Sequence, residues 1–271
     1  MLCMIKLWGN KMKLGIVGNG FVGNAIYQNF KDKVETSVFD VKPEKSLNSL
    51  SEVIDSDIIF VCLPTPMKEN GECDLSFVED FFRSVEPKKT DPLFVIKSTV
   101  PIGTTERLCR LRDDLRIVHN PEFLTAVNAV EDFRESDRNI IGGYQRWCLE
   151  LKDFYLQHFP YTPIQIVKSN ESETIKYFCN SFLASKVAFF NNLYEICQKL
   201  GMNFDSVKDG VISDTRIGPS HTKVPGPDGL MGFGGYCFPK DINALINTLK
   251  EQNIDDSLFS TVWEYNKKVR K

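Results

Sequence analysis

The segment that most constrains the fold is Gly15-Ile16-Val17-Gly18-Asn19-Gly20-Phe21-Val22-Gly23, which joins a short apolar run to an amphipathic one. Residues 13–17 read as a strand and 23–30 as a helix. Gly18, Gly20 and Gly23 have the G-x-G-x-x-G spacing of a tight strand-to-helix turn. The first glycine makes the turn, the second lets a ligand approach the backbone, and the third lets helix and strand pack closely. A strand feeding such a helix has to continue into a further parallel strand. The sequence supplies them, since short β-branched runs at 36–39, 57–62, 93–97, 116–119, 139–141 and 164–167 alternate with amphipathic stretches such as 75–82. The expected class is α/β, a Rossmann-type doubly wound and mostly parallel sheet over residues 1–167.

After Val167 the pattern changes. Ile175, Phe178, Phe182, Leu183, Val187, Phe190, Leu193, Ile196 and Leu200 recur at helical spacing up to Gly201. A helix of that length spans on the order of 40 Å, long for one that packs only within its own domain. Residues 168–271 are therefore expected to be a linking helix followed by a small all-α domain. The linking helix is also a candidate core for a homodimer.

The turn around Gly18–Gly23 predicts a dinucleotide site. The helix N-terminus at Asn19, Gly20, Phe21 and Val22 offers unpaired N–H donors to a pyrophosphate. Asp40 ends the next strand, 17 residues after Gly23. A carboxylate there accepts ribose hydroxyls and repels a 2′-phosphate, which favours NAD over NADP; Lys42 nearby weakens that preference. Two loops follow strand C-terminal ends, where ligands bind in such sheets. One is Cys62-Leu63-Pro64-Thr65-Pro66, and the other is Lys97-Ser98-Thr99-Val100-Pro101, which offers two hydroxyls.

A second focus is Gly232-Phe233-Gly234-Gly235-Tyr236-Cys237-Phe238-Pro239-Lys240-Asp241. Pro239 suits a first helical position, which places Cys237 just before a helix N-terminus. The dipole there and the charge of Lys240 favour a thiolate, a candidate nucleophile. The bland reading is a buried cysteine beside a tight turn. The glycines read as points of close approach to a ligand.

Composition narrows the partners. A net charge of -3 gives no reason to expect nucleic acid, and no apolar run is long enough for a membrane span. None of the eight cysteines forms a CxxC pair, so the expectation is a reducing cytoplasm, no disulfides and no metal. His119, His158 and His221 read as packing or surface residues, and the basic tail 267–271 as a solvated helix end. The stretch 1–10 is too short for a signal peptide and reads as an extension, with Met12 as an alternative start.

Taken in order, the glycine fingerprint, Pro64-Thr65-Pro66, Ser98-Thr99-Val100-Pro101-Ile102-Gly103-Thr104, Asn120-Pro121-Glu122-Phe123-Leu124, Lys176-x-x-x-Asn180 and the Cys237 frame resemble the UDP-glucose/GDP-mannose dehydrogenase family, nearest its UDP-glucose 6-dehydrogenases. The resemblance covers about residues 12–250. It implies an NAD-dependent, metal-free, four-electron oxidation of a sugar C6 alcohol to a carboxylate. Cys237 would carry a thiohemiacetal and then a thioester. Lys176 and Asn180 would hydrogen-bond the oxyanion, Glu122 would assist thioester hydrolysis, and Asp241 would orient water or tune Lys176. Thr99 would hold water and nicotinamide, with Pro64, Thr65, Ser98 and Lys240 around the cofactor. Phe123, Leu124, Gly234 and Arg216 would meet the nucleotide sugar, Arg216 across a dimer interface.

The chain departs from the family pattern in two ways. Ala126 stands where a second glutamate is usual, and the family's C-terminal nucleotide-binding domain has no counterpart within residues 1–271. The loop Lys223-Val224-Pro225-Gly226-Pro227-Asp228-Gly229 is a candidate substitute contact to substrate. Two other functions stay open. One is a two-electron β-hydroxyacid dehydrogenase, which also carries Lys-x-x-x-Asn but has no use for Cys237. The other is a non-catalytic protein that binds NAD or a nucleotide sugar.

Overall fold

The computed structural model describes residues 12–87 and 91–270. The proposed N-terminal extension, Cys3 and Lys271 lie outside the described residues. Seven strands form one sheet: β1 (Lys13–Val17), β2 (Glu35–Phe39), β3 (Ile58–Val61), β4 (Leu93–Ile96), β5 (Arg116–His119), β6 (Asn139–Gly142) and β7 (Ile164–Val167). Their order is β2-β1-β3-β4-β5-β6-β7. Every neighbouring pair is parallel except β5–β6, which meet antiparallel at His119 and Gly142. The doubly wound, mostly parallel sheet is thus as expected, with strand limits within about a residue of the sequence reading.

The strands explain why the reading worked. Ile58-Ile59-Phe60-Val61 and Leu93-Phe94-Val95-Ile96 are buried along their whole length. Phe60 and Val95 join one core with Leu14, Ile16, Phe30 and Phe154. Ile59, Val61, Phe94 and Ile96 point the other way, into a core with Val78, Phe82 and Leu108. A parallel sheet covered on both faces needs such unbroken apolar runs.

The covering helices are α1 (Phe21–Phe30), α2 (Leu50–Val53), α3 (Ser76–Ser84), α4 (Thr104–Leu111), α5 (Ala129–Arg134) and α6 (Gln145–His158). Then come α7 (Ser169–Leu200), α8 (Phe204–Ile212), α9 (Cys237–Glu251) and α10 (Ser257–Val269). The long helix exists as predicted, with 32 residues. The chain divides into two compact units. The first holds the chain up to Thr65 and Asp74–Lys176; the second holds Pro66–Cys73 and the chain from Tyr177 onward. The core of the second unit packs Ala184 and Ala188 of α7 against Phe233, Ile242 and Ile246, with Trp263 of α10 beside them. On α7, Phe182, Phe189 and Ile196 recur every seven residues and are 67%, 62% and 43% exposed.

Candidate active site

In the first unit, β1 leads into the glycine turn. Gly18 has φ +92°, and a Cβ there would sit 2.5 Å from the Cys62 carbonyl oxygen. A Cβ on Gly23 would lie 2.0 Å from the Gly18 carbonyl oxygen. These two glycines are needed by the fold itself. Gly20 differs, because a Cβ there meets nothing within 4 Å. It caps α1 with no side-chain hydrogen bond, and the first turn of α1 carries no acidic residue. The open space therefore faces uncapped N–H groups at the positive end of a helix.

Asp40, just past β2, accepts hydrogen bonds from the backbone N–H of Asn19 at 2.7 Å and of Lys42 at 2.9 Å. The Asn19 Oδ1 is buried without a hydrogen-bond partner. An open glycine, an uncapped helix start, an orphaned acceptor and a carboxylate at the end of the second strand fit a dinucleotide with free ribose hydroxyls. Lys42 is exposed and meets Asp40 through its backbone.

The two neighbouring loops are tied to each other. Thr65 Oγ1 donates to the Thr99 carbonyl at 2.9 Å, and Ser98 Oγ donates to the Leu63 carbonyl at 2.6 Å. Ser98 thus uses its hydroxyl to brace the Cys62–Pro66 loop, where the sequence suggested a hydroxyl offered outward. Thr99 is 9% exposed beside it, and Pro64 is exposed at the tip. Burial pushes the Cys62 thiol up to about 12, which makes it an inert neighbour.

The turn 120–124 leaves β5 without forming a helix. Asn120, fully buried, fixes this turn. Its amide donates to Asn139 Oδ1 and to the Ile140 carbonyl, both at 2.6 Å. Its Oδ1 accepts from Tyr155 Oη at 2.7 Å and from Lys97 Nζ at 3.0 Å. Burial lowers the Lys97 ammonium to about 8. Glu122 Oε1 then pairs with Lys176 Nζ at 3.0 Å, and Lys176 also donates to the Glu122 carbonyl at 2.6 Å. Glu122 Oε2 accepts from the Leu124 N–H at 2.6 Å. The Phe123 ring centroid lies 5.3 Å from the ammonium. With side-chain exposures of 3% and 6%, this is a buried ion pair built from two predicted site residues.

One turn before Lys176 on α7, Glu173 is fully buried. Its carboxylate accepts from the Gly103 N–H at 2.5 Å, the Thr105 N–H at 2.8 Å and Thr105 Oγ1 at 2.6 Å, which caps α4 from another helix. Burial, partly offset by the Thr105 and Gly103 hydrogen bonds, raises this carboxyl to about 7. Burial also lowers His119 to about 3, leaving a neutral ring whose Nδ1 lies 2.8 Å from Ser172 Oγ. The ring is a packing residue, as read from the sequence.

In the second unit, α9 starts at Cys237, so the cysteine is the first helical residue and Pro239 the third. The sequence reading placed Pro239 at the first position. Pro is tolerated here because the first-turn N–H groups have no intrahelical acceptor. Cys237 is half-buried. One turn along, Asp241 Oδ2 accepts from Asn180 Nδ2 at 2.5 Å, and Asp241 Oδ1 accepts from Lys240 Nζ. Burial disfavours the Lys240 charge, but Asp241 more than compensates and holds the ammonium above its ordinary value. The Lys240 head group, 4% exposed, is turned to Asp241 within its own unit.

The glycine frame is pinned by side chains the sequence reading missed. Gly232 N–H donates to Asn191 Oδ1 at 2.7 Å. Asn266 Oδ1 accepts from the Phe233 N–H at 2.7 Å, and its amide donates to the Phe233 carbonyl at 2.9 Å. Arg270 donates to the Met231 carbonyl at 3.3 Å and to Asp228 Oδ2 at 2.5 Å. A Cβ on Gly234 would lie 2.0 Å from the Arg270 guanidinium. Arg270 is therefore no solvated helix end. Asn at 266 within an apolar periodic stretch was the one available signal. Arg216, by contrast, is exposed and forks onto its neighbour Asp214, with Nη2 to Oδ2 at 2.5 Å.

No cluster able to hold a metal ion exists among the described residues. Sequence comparison gives a consistent relationship. The models described as "UDP-glucose/GDP-mannose dehydrogenase family, NAD binding domain" and "central domain" match residues 28–158 and 170–268. UDP-glucose 6-dehydrogenase TuaD of Bacillus subtilis (strain 168) is 33% identical over 270 residues, 96% of this chain and 57% of that protein. The UDP-glucose 6-dehydrogenase of Rickettsia conorii is 39% identical over 227 residues, 80% of this chain and 50% of that protein. The solved structure of a UDP-glucose dehydrogenase from Pyrobaculum islandicum superposes with TM-score 0.86 at 28% identity, covering 98% of this chain and 70% of that one. The chain spans about half the length of the curated relatives it matches. Two matched domains, in the expected order, leave one assignment: the chain belongs to the UDP-glucose/GDP-mannose dehydrogenase family.

Proposed function

We propose that this chain carries the NAD-binding and catalytic parts of a UDP-glucose 6-dehydrogenase, which converts the C6 alcohol of UDP-glucose to a carboxylate with reduction of two NAD⁺. The observation that carries the reading is Cys237 as the first residue of α9, in the same unit as the paired Asn180 and Asp241. NAD⁺ supplies the hydride acceptor in both oxidations. The Cys237 thiolate adds to the C6 aldehyde and forms a thiohemiacetal, so the aldehyde is not lost. Oxidation of that adduct leaves a thioester. Water then attacks its carbonyl carbon, the carbon–sulfur bond breaks, and the acid and the thiol are released. Lys176 stabilises the negative oxygen in each tetrahedral species, with Asn180 as a second donor. Glu122 accepts the proton of the attacking water. Its pairing with Lys176 keeps the two charges in register for that exchange. Asp241 holds Asn180, and Lys240 acts through Asp241. Thr99 lines the cofactor side, while Phe123, Leu124, Gly234 and Arg216 complete the sugar-nucleotide contacts.

NADH yield tests the reading. Two NADH per added UDP-glucose are expected, with none from a simple hydroxy acid. One NADH per hydroxy acid would point to a β-hydroxyacid dehydrogenase, and no turnover to a binding protein. Cys237→Ser is expected to abolish acid formation, and full acid production by that variant would refute the covalent route. UDP-galactose and GDP-mannose beside UDP-glucose set the sugar preference.

The same proposal includes a homodimer through the α7 face bearing Phe182, Phe189 and Ile196, whose seven-residue repeat suits a helix–helix seam. A monomer at micromolar concentration by light scattering would count against it. No helix among the described residues is long and apolar enough to cross a membrane. A cytoplasmic setting is part of the same proposal.

A further inference from the structure

We infer that Asn191, Asn266 and Arg270 are positioning residues that set the placement of Cys237, so that α7 and the end of α10 together clamp the cysteine loop. The inference rests on the proposed role of Cys237 as nucleophile. The loop entering α9 has no regular ladder to fix its backbone. Three side chains replace one. Asn191 takes the Gly232 N–H, and Asn266 takes both the N–H and the carbonyl of Phe233, as a paired strand would. Asn191 and Asn266 are 1% and 2% exposed, so no solvent substitutes for them. Arg270 holds the Met231 carbonyl on one side and Asp228 on the other, and lies flat against Gly234. Gly232 has φ +70°, and a Cβ there would sit 2.3 Å from Asn266 Oδ1. Both glycines are therefore shaped to receive side chains of α10 and its C-cap, and Cys237 follows within one turn of this fixed backbone.

A nucleophile that must meet a carbon at bonding distance loses rate steeply when its backbone shifts. The test uses the full chain with three substitutions: Asn266→Ala, Arg270→Ala and, as a control that loosens the same core away from the loop, Ile246→Val. Folding is checked by circular dichroism. Alkylation of Cys237 by iodoacetamide is followed on its own peptide by mass spectrometry, together with kcat and KM for UDP-glucose. Asn266→Ala and Arg270→Ala are expected to change Cys237 alkylation and lower kcat by roughly tenfold or more, with KM moving much less, while Ile246→Val matches the parent. Parental alkylation rates in both loop variants, or an equal change in Ile246→Val, would overturn the inference. If Asn266→Ala does not fold, Arg270→Ala decides, since its guanidinium sits at the partly exposed edge of the clamp. If the parent reduces no NAD⁺, the dehydrogenase reading fails while the alkylation comparison still decides the clamp.

Discussion

Glu173 offers a quantitative test of how the first unit holds the start of the long helix α7. The carboxyl is fully buried and titrates near 7, against an ordinary value of 4.5. Between those two values the folded chain binds more protons than the unfolded chain, so stability falls as pH rises from about 4.5 to about 7. A shift of roughly 2.5 units corresponds to about 3 kcal/mol lost over that window and not regained above it. Glu173→Gln removes this dependence, because the amide does not ionise. It also turns an NH₂ group toward one of the donors Gly103 N, Thr105 N and Thr105 Oγ1, at a cost of about 1–3 kcal/mol at every pH. The variant is therefore expected to be clearly weaker than the parent at pH 5 and close to it, or above it, at pH 8. Urea unfolding followed by Trp147 fluorescence, in a Trp8→Phe, Trp263→Phe background, reads the first unit at each pH. Parallel stability–pH curves for parent and Glu173→Gln would refute the assignment of a raised carboxyl at this position.

The glycine turn separates into fold and ligand positions. Gly18→Ala forces a Cβ at φ +92° into the Cys62 carbonyl and is expected to lower stability by about 1–3 kcal/mol, read as a fall in Tm. Gly20→Ala has room for its methyl and is expected to cost no more than about 1 kcal/mol as a helix cap. It fills the space facing the helix start, so NADH affinity by fluorescence titration is expected to fall at least ~10-fold. Lys176→Met leaves Glu122 buried with only the Leu124 N–H, so unfolding free energy is expected to fall by about 3–5 kcal/mol along with activity. Full stability in that variant would show that the pair is solvated.

Why some of this was legible in the sequence follows from range. Ile58–Val61 and Leu93–Ile96 are buried on both faces, so composition alone marks them as inner parallel strands. Gly18, Gly20 and Gly23 act within a nine-residue segment, and their spacing carries their roles. The antiparallel meeting of β5 and β6 depends on where the turn 120–124 goes, which Asn120 decides through residues on β6 and α6. The Cys237 frame shows the same limit. Its glycines read as points of close approach to a ligand, and Gly232 and Gly234 also make room for Asn266 and Arg270, more than thirty positions later. Ser98 and Lys240 each meet a partner that local sequence does not reveal: the Leu63 carbonyl for one, Asp241 for the other. In both cases the residue type was readable and its direction was not.

The assignment of Pro66–Cys73 to the second unit has a practical consequence for anyone cutting this gene into pieces. Within that unit the segment meets α9, with Asn247 Nδ2 3.4 Å from the Asn70 carbonyl and Asn243 against Gly71. A fragment starting at Tyr177 would express an incomplete module, missing a patch encoded more than a hundred codons upstream. A fragment ending at Lys176 would carry that patch as a dangling insert. Neither half is a cassette that recombination at a single junction can move intact, so exchanging the second unit between relatives requires grafting two separate stretches at once.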